Sequence, residues 1–230
     1  MRKTKATIAG EVQLSGIGVH SGQNVLLTLK PSKSGEIVFY LVRHENYELR
    51  PDPHQVESMY SSILGKGEKS VRTIEHLMAA LFVLGIDSLN VYLDGEEIPI
   101  CDGSALEFVK AILAGGIEPL NIERKLLKII LPFTVREEDA YISVEPCDDF
   151  RLVYTIDYDH PAIRKQSYEL RVDEESFVKE IAPARTFGFL KDVEALRERG
   201  LALGGSLENA LVLDENGLVN GPLRFEDEFV

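Results

Sequence analysis

Hydrophobic and polar positions divide the chain into stretches of two different periods. From residue 5 to residue 64 the runs are short and rich in β-branched and aromatic residues, as in Val25–Leu29 and Ile37–Val42, which predicts a series of strands. Gly16, Gly18, Gly22, the Pro31–Gly35 turn, Pro51 and Pro53 break them up. At Ser70 the period changes. Ile74, Leu77, Met78, Leu81 and Phe82 recur at i, i+3, i+4, i+7 and i+8, which predicts an amphipathic helix over 70–84 with its stop at Gly85. A strand over 88–93 follows, with Asp94-Gly95 as its turn. A second helix begins at Ser104, where Ser104 and Glu107 have capping-box spacing, and ends at Gly115-Gly116.

Residues 117–123 read as a linker. Strand-like runs resume at 126–132, 141–144 and 152–157, then a helix over 189–199 closes at Gly200. A last strand over 210–213 leads to the Asn216-Gly217 turn. Strands first and helices later is the order of an α+β fold, here in two units, residues 1–116 and 124–230. The second unit has only one short helix to cover its strands. A sheet with one apolar face must be covered by something, so exposed apolar surface is expected there.

Composition narrows the function. The chain has 230 residues, 44% of them hydrophobic, enough to bury a core. A formal net charge of -13 argues against non-specific binding to nucleic acid or to an anionic membrane surface. Cys101 and Cys147 are far apart and lack metal-ligand spacing, so a reducing, cytoplasmic setting is expected. The basic N-terminal residues have no apolar stretch behind them, and no run is long enough to span a membrane.

Candidate chemistry starts on the first helix. At 100° per residue His76 points away from the apolar stripe, with Glu75 on the flank and Ala79, Ala80 and Arg72 as neighbours. Two alanines on that face suggest that another layer packs closely against it. An imidazole beside a carboxylate suits metal-assisted hydrolysis, the His as zinc ligand and the Glu as base toward water. The alternative is a chance pair. The loop from Ser15 to Gly22 brings glycines and His20 together, as a ligand loop or as a hairpin with a surface His. His44, His54 and His160 read as surface or capping residues. Thr186, ahead of the third helix, is an oxyanion donor or an N-cap. The small apolar run 200–206 is a narrow slot or a tight turn.

In combination, six segments resemble the UDP-3-O-acyl-N-acetylglucosamine deacetylases of lipid A biosynthesis. They are Ser15-Gly-Ile-Gly-Val-His-Ser-Gly22, Thr73-Ile-Glu-His-Leu77, Glu97-Ile-Pro-Ile-Cys-Asp-Gly-Ser104, Ala184-Arg-Thr-Phe187, Gly200-Leu-Ala-Leu-Gly-Gly-Ser206 and Leu223-Arg-Phe-Glu-Asp-Glu-Phe-Val230. The resemblance implies two related sheet-plus-helix domains packed face to face with the site between them. It implies zinc as cofactor, His76 as a zinc ligand, Glu75 as general base and Thr186 as a stabiliser of the oxyanion. It implies that the substrate is UDP-3-O-acyl-N-acetylglucosamine, with His20 at the substrate and Asp157 and Tyr158 in a nucleotide-contacting segment. Phe187, Val193, Ala202, Gly205 and Ser206 would border an acyl passage inserted in the second domain. In the family a His-Lys-x-x-x-Asp helix follows the Arg-Phe-Glu-Asp-Glu-Phe-Val run and supplies two further zinc ligands, and a later Gly-His segment supplies a catalytic histidine. Those residues are not in this sequence. The expectation is a second domain incomplete at its C-terminus, weak zinc binding, and three alternatives: a fragment, one part of a split enzyme completed by a separate C-terminal segment, or a non-catalytic remnant.

Overall fold

The computed structural model describes residues 3–230. Its centre is a five-stranded sheet in the order Val12–Ile17, Asn24–Pro31, Leu89–Leu93, Ile37–Leu41, Tyr47–Leu49. All neighbours are antiparallel except Ile37–Leu41 and Leu89–Leu93, which run parallel. Alternation does what the period-2 reading requires: Val25, Leu27, Leu29, Phe39, Leu41, Leu89, Val91 and Leu93 all point into one core. Two helices roof that face, α1 (Glu75–Leu84) and α2 (Leu106–Gly115). They contribute Leu77, Ala80, Leu81 and Leu84 from α1 and Phe108, Val109 and Ile112 from α2. Gly85 ends α1 in the left-handed region, φ 69°, and its N–H caps two helix carbonyls, as its position after the last periodic residue predicts.

Three details differ from the sequence reading. The first helix starts at Glu75, not at Ser70, because 69–71 are already committed to a three-stranded sheet with Ser62–Lys66 and Val56–Ser58. Thr73, at φ 59°, then bars any helical path into Ile74. Phe82, placed on the apolar stripe, is 56% exposed and meets Phe150 edge to face at 5.6 Å, while Ala80 takes the buried position. Ser104 and Glu107 form no capping box: the Ser104 hydroxyl donates to Asp102 and accepts from the Leu106 amide, and Glu107 pairs with Lys110.

Residues 117–123 are not a free linker but a strand, Ile117–Glu123, paired antiparallel with Thr4–Ile8. The 126–132 run forms no strand. Its apolar residues have no ladder partner, and Leu127 is 92% exposed. The strands beyond it make two hairpins, Phe133–Glu137 with Ala140–Val144 and Arg151–Tyr158 with Arg164–Arg171. Each hairpin is two-faced. Phe133, Val135, Ile142 and Val144 share one side of the first, while Thr134 bonds Ser143 and Arg136 lies over Tyr141 on the other. That apolar side lies largely open, with Ile142 73% exposed. A small three-stranded sheet, Phe187–Phe189, Leu211–Asp214 and Gly217–Leu218, holds a second core of Ile156, Ile163, Leu211, Leu213 and Phe229. The helix Leu190–Glu198 lies beside it, and Gly200 follows at φ 73°. Phe177 and Ala182 cross over and join the first core.

Candidate active site

The first turn of α1 presents Glu75 and His76. A carboxylate at a helix N-terminus faces unpaired backbone N–H groups and is stabilised by them. Glu75 is also held from outside: its Oε2 accepts from the Ser62 amide at 3.0 Å, at the start of the neighbouring strand. His76 is largely buried. Burial drives its pKa below the ordinary histidine value, against the opposing pull of the Glu75 and Asp102 carboxylates. The imidazole is therefore neutral at physiological pH, the form that ligates a metal.

Around this turn three distant segments are woven together. Arg72 N–H donates to the Glu96 carbonyl and Ile98 N–H to the Arg72 carbonyl, while Ile100 N–H donates to the Ile17 carbonyl. Glu97, whose residue is fully buried, turns its carboxylate back into the weave. It accepts from the His20 and Ser21 amides and from the Thr73 hydroxyl, at 2.9, 2.7 and 2.9 Å. The 15–22 segment is the tip of the hairpin between Val12–Ile17 and Asn24–Pro31, but its His20 is buried rather than at the surface. Two glycines make the fit possible. A methyl on Gly18 would meet Glu97 Oε2 at 2.3 Å, and one on Gly204 would meet the Gly18 carbonyl at 2.3 Å. The 200–206 run lies directly on this loop: Leu203 and Gly204 amides donate to the His20 and Val19 carbonyls, and the Ala202 amide to His20 Nδ1 at 3.4 Å.

A second network joins residues 101–104 to the two late motifs. Asp102 Oδ1 accepts from Ser104 and Oδ2 from Arg224, both at 2.7 Å. Burial pushes the Asp102 carboxyl up, but the bonds from Arg224 and Ser104 together outweigh it and hold it below its ordinary value. Arg224 also donates its amide to Glu228, whose side chain is completely buried and takes a two-pronged hydrogen bond from Arg185 at 2.7 and 2.9 Å. Thr186, next in the chain, is pinned on both sides: its N–H donates to the Gly103 carbonyl at 2.7 Å and its carbonyl accepts from Leu211. The N-cap of the following helix is Phe189, so Thr186 is not that cap.

Four non-glycine residues of these segments adopt left-handed backbone: Tyr60 ahead of the Ser62 anchor, Thr73 ahead of α1, Cys101 ahead of Asp102, and Ala202 against His20. Such positions cost about 1–3 kcal/mol each and persist only where surroundings over-determine them, as at functional sites. The Cys101 thiol, pushed up to about 11 by burial and by Asp102 and Glu107, stays protonated, and both cysteines are free.

The remaining candidates spread along the second half. Tyr158 packs its ring against Phe187 at 5.7 Å and Phe189 at 5.8 Å, and Asp157 is exposed beside it. Val193 lies half-buried on the Leu190–Glu198 helix, and Gly205 and Ser206 continue the 200–206 run. His160 is a capping residue, bonded to the Asp214 carbonyl and the Ala162 amide. Among the described residues no three His, Cys, Asp or Glu side chains converge as a metal set. Glu97, Asp102, Arg185, Arg224 and Glu228 were given no role by the sequence reading. The available signal was five charged residues inside otherwise apolar or glycine-rich motifs.

Comparison with known proteins gives a consistent result. Residues 5–230 match the family described as LpxC, UDP-3-O-acyl N-acetylglycosamine deacetylase. Relatives named UDP-3-O-acyl-N-acetylglucosamine deacetylase include one from Thermodesulfovibrio yellowstonii, 43% identical over 225 residues, covering 97% of this chain and 77% of the relative. Another, from Geotalea uraniireducens, is 45% identical over 229 residues, covering 97% of this chain and 74% of the relative. A third, from Nautilia profundicola, is 42% identical over 226 residues, with 97% and 77% covered.

Proposed function

The chain belongs to the UDP-3-O-acyl-N-acetylglucosamine deacetylase family, and from that premise we propose that it hydrolyses the N-acetyl group of UDP-3-O-acyl-N-acetylglucosamine, releasing acetate, in lipid A biosynthesis. The observation that carries the reading is the Glu75–His76 turn, a tethered carboxylate beside a neutral, largely buried imidazole. Glu75 acts as general base. Ser62 occupies its Oε2, which leaves Oε1 to take a proton from the attacking water. Thr186, fixed between Gly103 and Leu211, donates to the oxyanion that develops on the acetyl carbonyl. Tyr158, Asp157 and His20 contact the nucleotide-sugar, and Phe187, Val193, Ala202, Gly205 and Ser206 border the acyl chain. The proposed units are 1–116 and 124–230, with the strand Ile117–Glu123 between them paired to Thr4–Ile8 of the first.

Zinc is the proposed metal, with His76 as a ligand, and such an ion supplies Lewis-acid polarisation of the amide carbonyl. A catalytic zinc takes about three protein ligands. The described residues supply this one imidazole and do not make a full set.

Acetate release from UDP-3-O-acyl-N-acetylglucosamine, measured with added zinc, tests the reading. Glu75→Ala should lower turnover by about 10²–10⁴-fold with substrate affinity retained. An undiminished rate in Glu75→Ala would remove the base from this helix. The donor count favours a second reading, a chain that binds the substrate without turning it over. Saturable binding of that substrate with no acetate released would select it.

A further inference from the structure

The geometry assigns Glu97 and Thr73 as a positioning pair that sets the Glu75–His76 turn against the glycine loop bearing His20. The inference deepens the deacetylase reading and rests on it for the meaning of that turn.

Glu97 cannot itself touch a substrate. It has no exposed surface, and both its oxygens are taken. Oε1 accepts from the His20 amide at 2.9 Å and from the Thr73 hydroxyl at 2.9 Å, and Oε2 from the Ser21 amide at 2.7 Å and the His20 amide at 3.2 Å. No cation pairs with it among the described residues: every partner is an amide or a hydroxyl. A buried carboxylate is an expensive way to hold a loop that apolar packing could hold, and such groups are best explained by the one arrangement they enforce. The arrangement here joins residues 20–21 to residue 73.

Thr73 makes that link directional. It is two residues ahead of Glu75, and the Ile74 carbonyl between them accepts the Met78 amide in the first turn of α1. Its left-handed backbone, φ 59°, is rare for a β-branched residue. The bridge of Arg72 to the Glu96–Ile98 backbone fixes it from one side and the Glu97 carboxylate from the other. A shift of Glu97 therefore moves both the entry to α1 and the His20 loop. The second glycine run, resting on that loop through Leu203 and Gly204, moves with them.

The test uses the whole chain and does not depend on turnover alone. Thr73→Val removes the hydroxyl and keeps the branch. Thr73→Ser keeps the hydroxyl, and Glu97→Gln keeps the shape with one acceptor oxygen fewer. The readouts are the ¹⁵N imidazole resonances of His76 and amide hydrogen exchange at His20 and Ser21. Thr73→Val should displace the His76 resonances while His20 and Ser21 stay protected. Glu97→Gln should displace them and also speed exchange at His20 or Ser21, and Thr73→Ser should match the parent. Where acetate release is measurable, Thr73→Val should lower kcat roughly 10- to 100-fold at near-constant KM, the cost of slight misplacement. Unchanged His76 resonances in Thr73→Val and Glu97→Gln, with only a lower melting temperature, would overturn the assignment. So would a Thr73→Ser chain that behaves like Thr73→Val. Should Thr73→Val not fold, Glu97→Gln and Thr73→Ser decide. If the parent releases no acetate, the deacetylase reading fails, and the resonances still judge the pair.

Discussion

The five-stranded sheet and the Phe133–Val144 hairpin carry the same alternating pattern and meet different ends. In the sheet, Leu27, Leu29, Phe39 and Val91 disappear under α1 and α2. In the hairpin, Phe133, Val135 and Ile142 line up on one side just as regularly, yet they stay open. The difference teaches that alternation specifies a two-faced ribbon, while burial needs a second layer. The stabilising free energy of this chain should then be concentrated in its first half.

The largest effect should come from Phe108, fully buried under the sheet. Phe108→Ala should cost about 3–5 kcal/mol, read as a shift of the urea midpoint. A cost under about 1 kcal/mol, as at an exposed site, would erase the contrast. Next comes Glu228, the completely buried partner of Arg185. Glu228→Ala should cost about 3 kcal/mol, because it strands a largely buried guanidinium, and the same measurement reads it.

A smaller effect follows from pH. Burial holds the folded-state pKa of His76 below its ordinary 6.5. The unfolded chain then takes up a proton that the folded chain refuses, so stability is fully present above about pH 6.5 and falls as pH drops toward the folded value. Urea midpoints should decline from pH 7 to pH 5, and His76→Gln should flatten part of that slope. The smallest effect belongs to the open hairpin. Ile142→Ser should alter stability by no more than about 0.5 kcal/mol yet reduce binding of a hydrophobic dye. A clear loss of stability would mean that the hairpin is covered in solution.

The central strands and Gly85 as a stop were legible from local spacing, and so was the place of Glu75 and His76 on the first helix. The start of α1 was not, because Ile74 fits the helical period while 69–72 are drawn into pairing with 62–66 and 96–98. The strand 117–123 was missed because Pro119 and three polar residues hide its pairing with residues 4–8. The run 126–132 misled in the opposite sense, apolar but without a ladder partner. Glu97, Asp102 and Glu228 were illegible for a different reason: their meaning lies in partners such as Arg224, 122 positions from Asp102. No local window contains such a pair.

The contact of His20 with Ala202 has a consequence for how the molecule comes into being. The two residues are 182 positions apart, and a chain is synthesised from its N-terminus at roughly 5–20 residues per second. The glycine loop therefore leaves the ribosome roughly 10–40 s before the segment that lies on it. The five-stranded sheet and its two helices can be complete in that interval, since their strands and helices end by residue 115. A chain folded to that point would already hold the Glu75–His76 turn and the Glu97 grip on the loop, with the 200–206 segment that lies on the loop still to arrive.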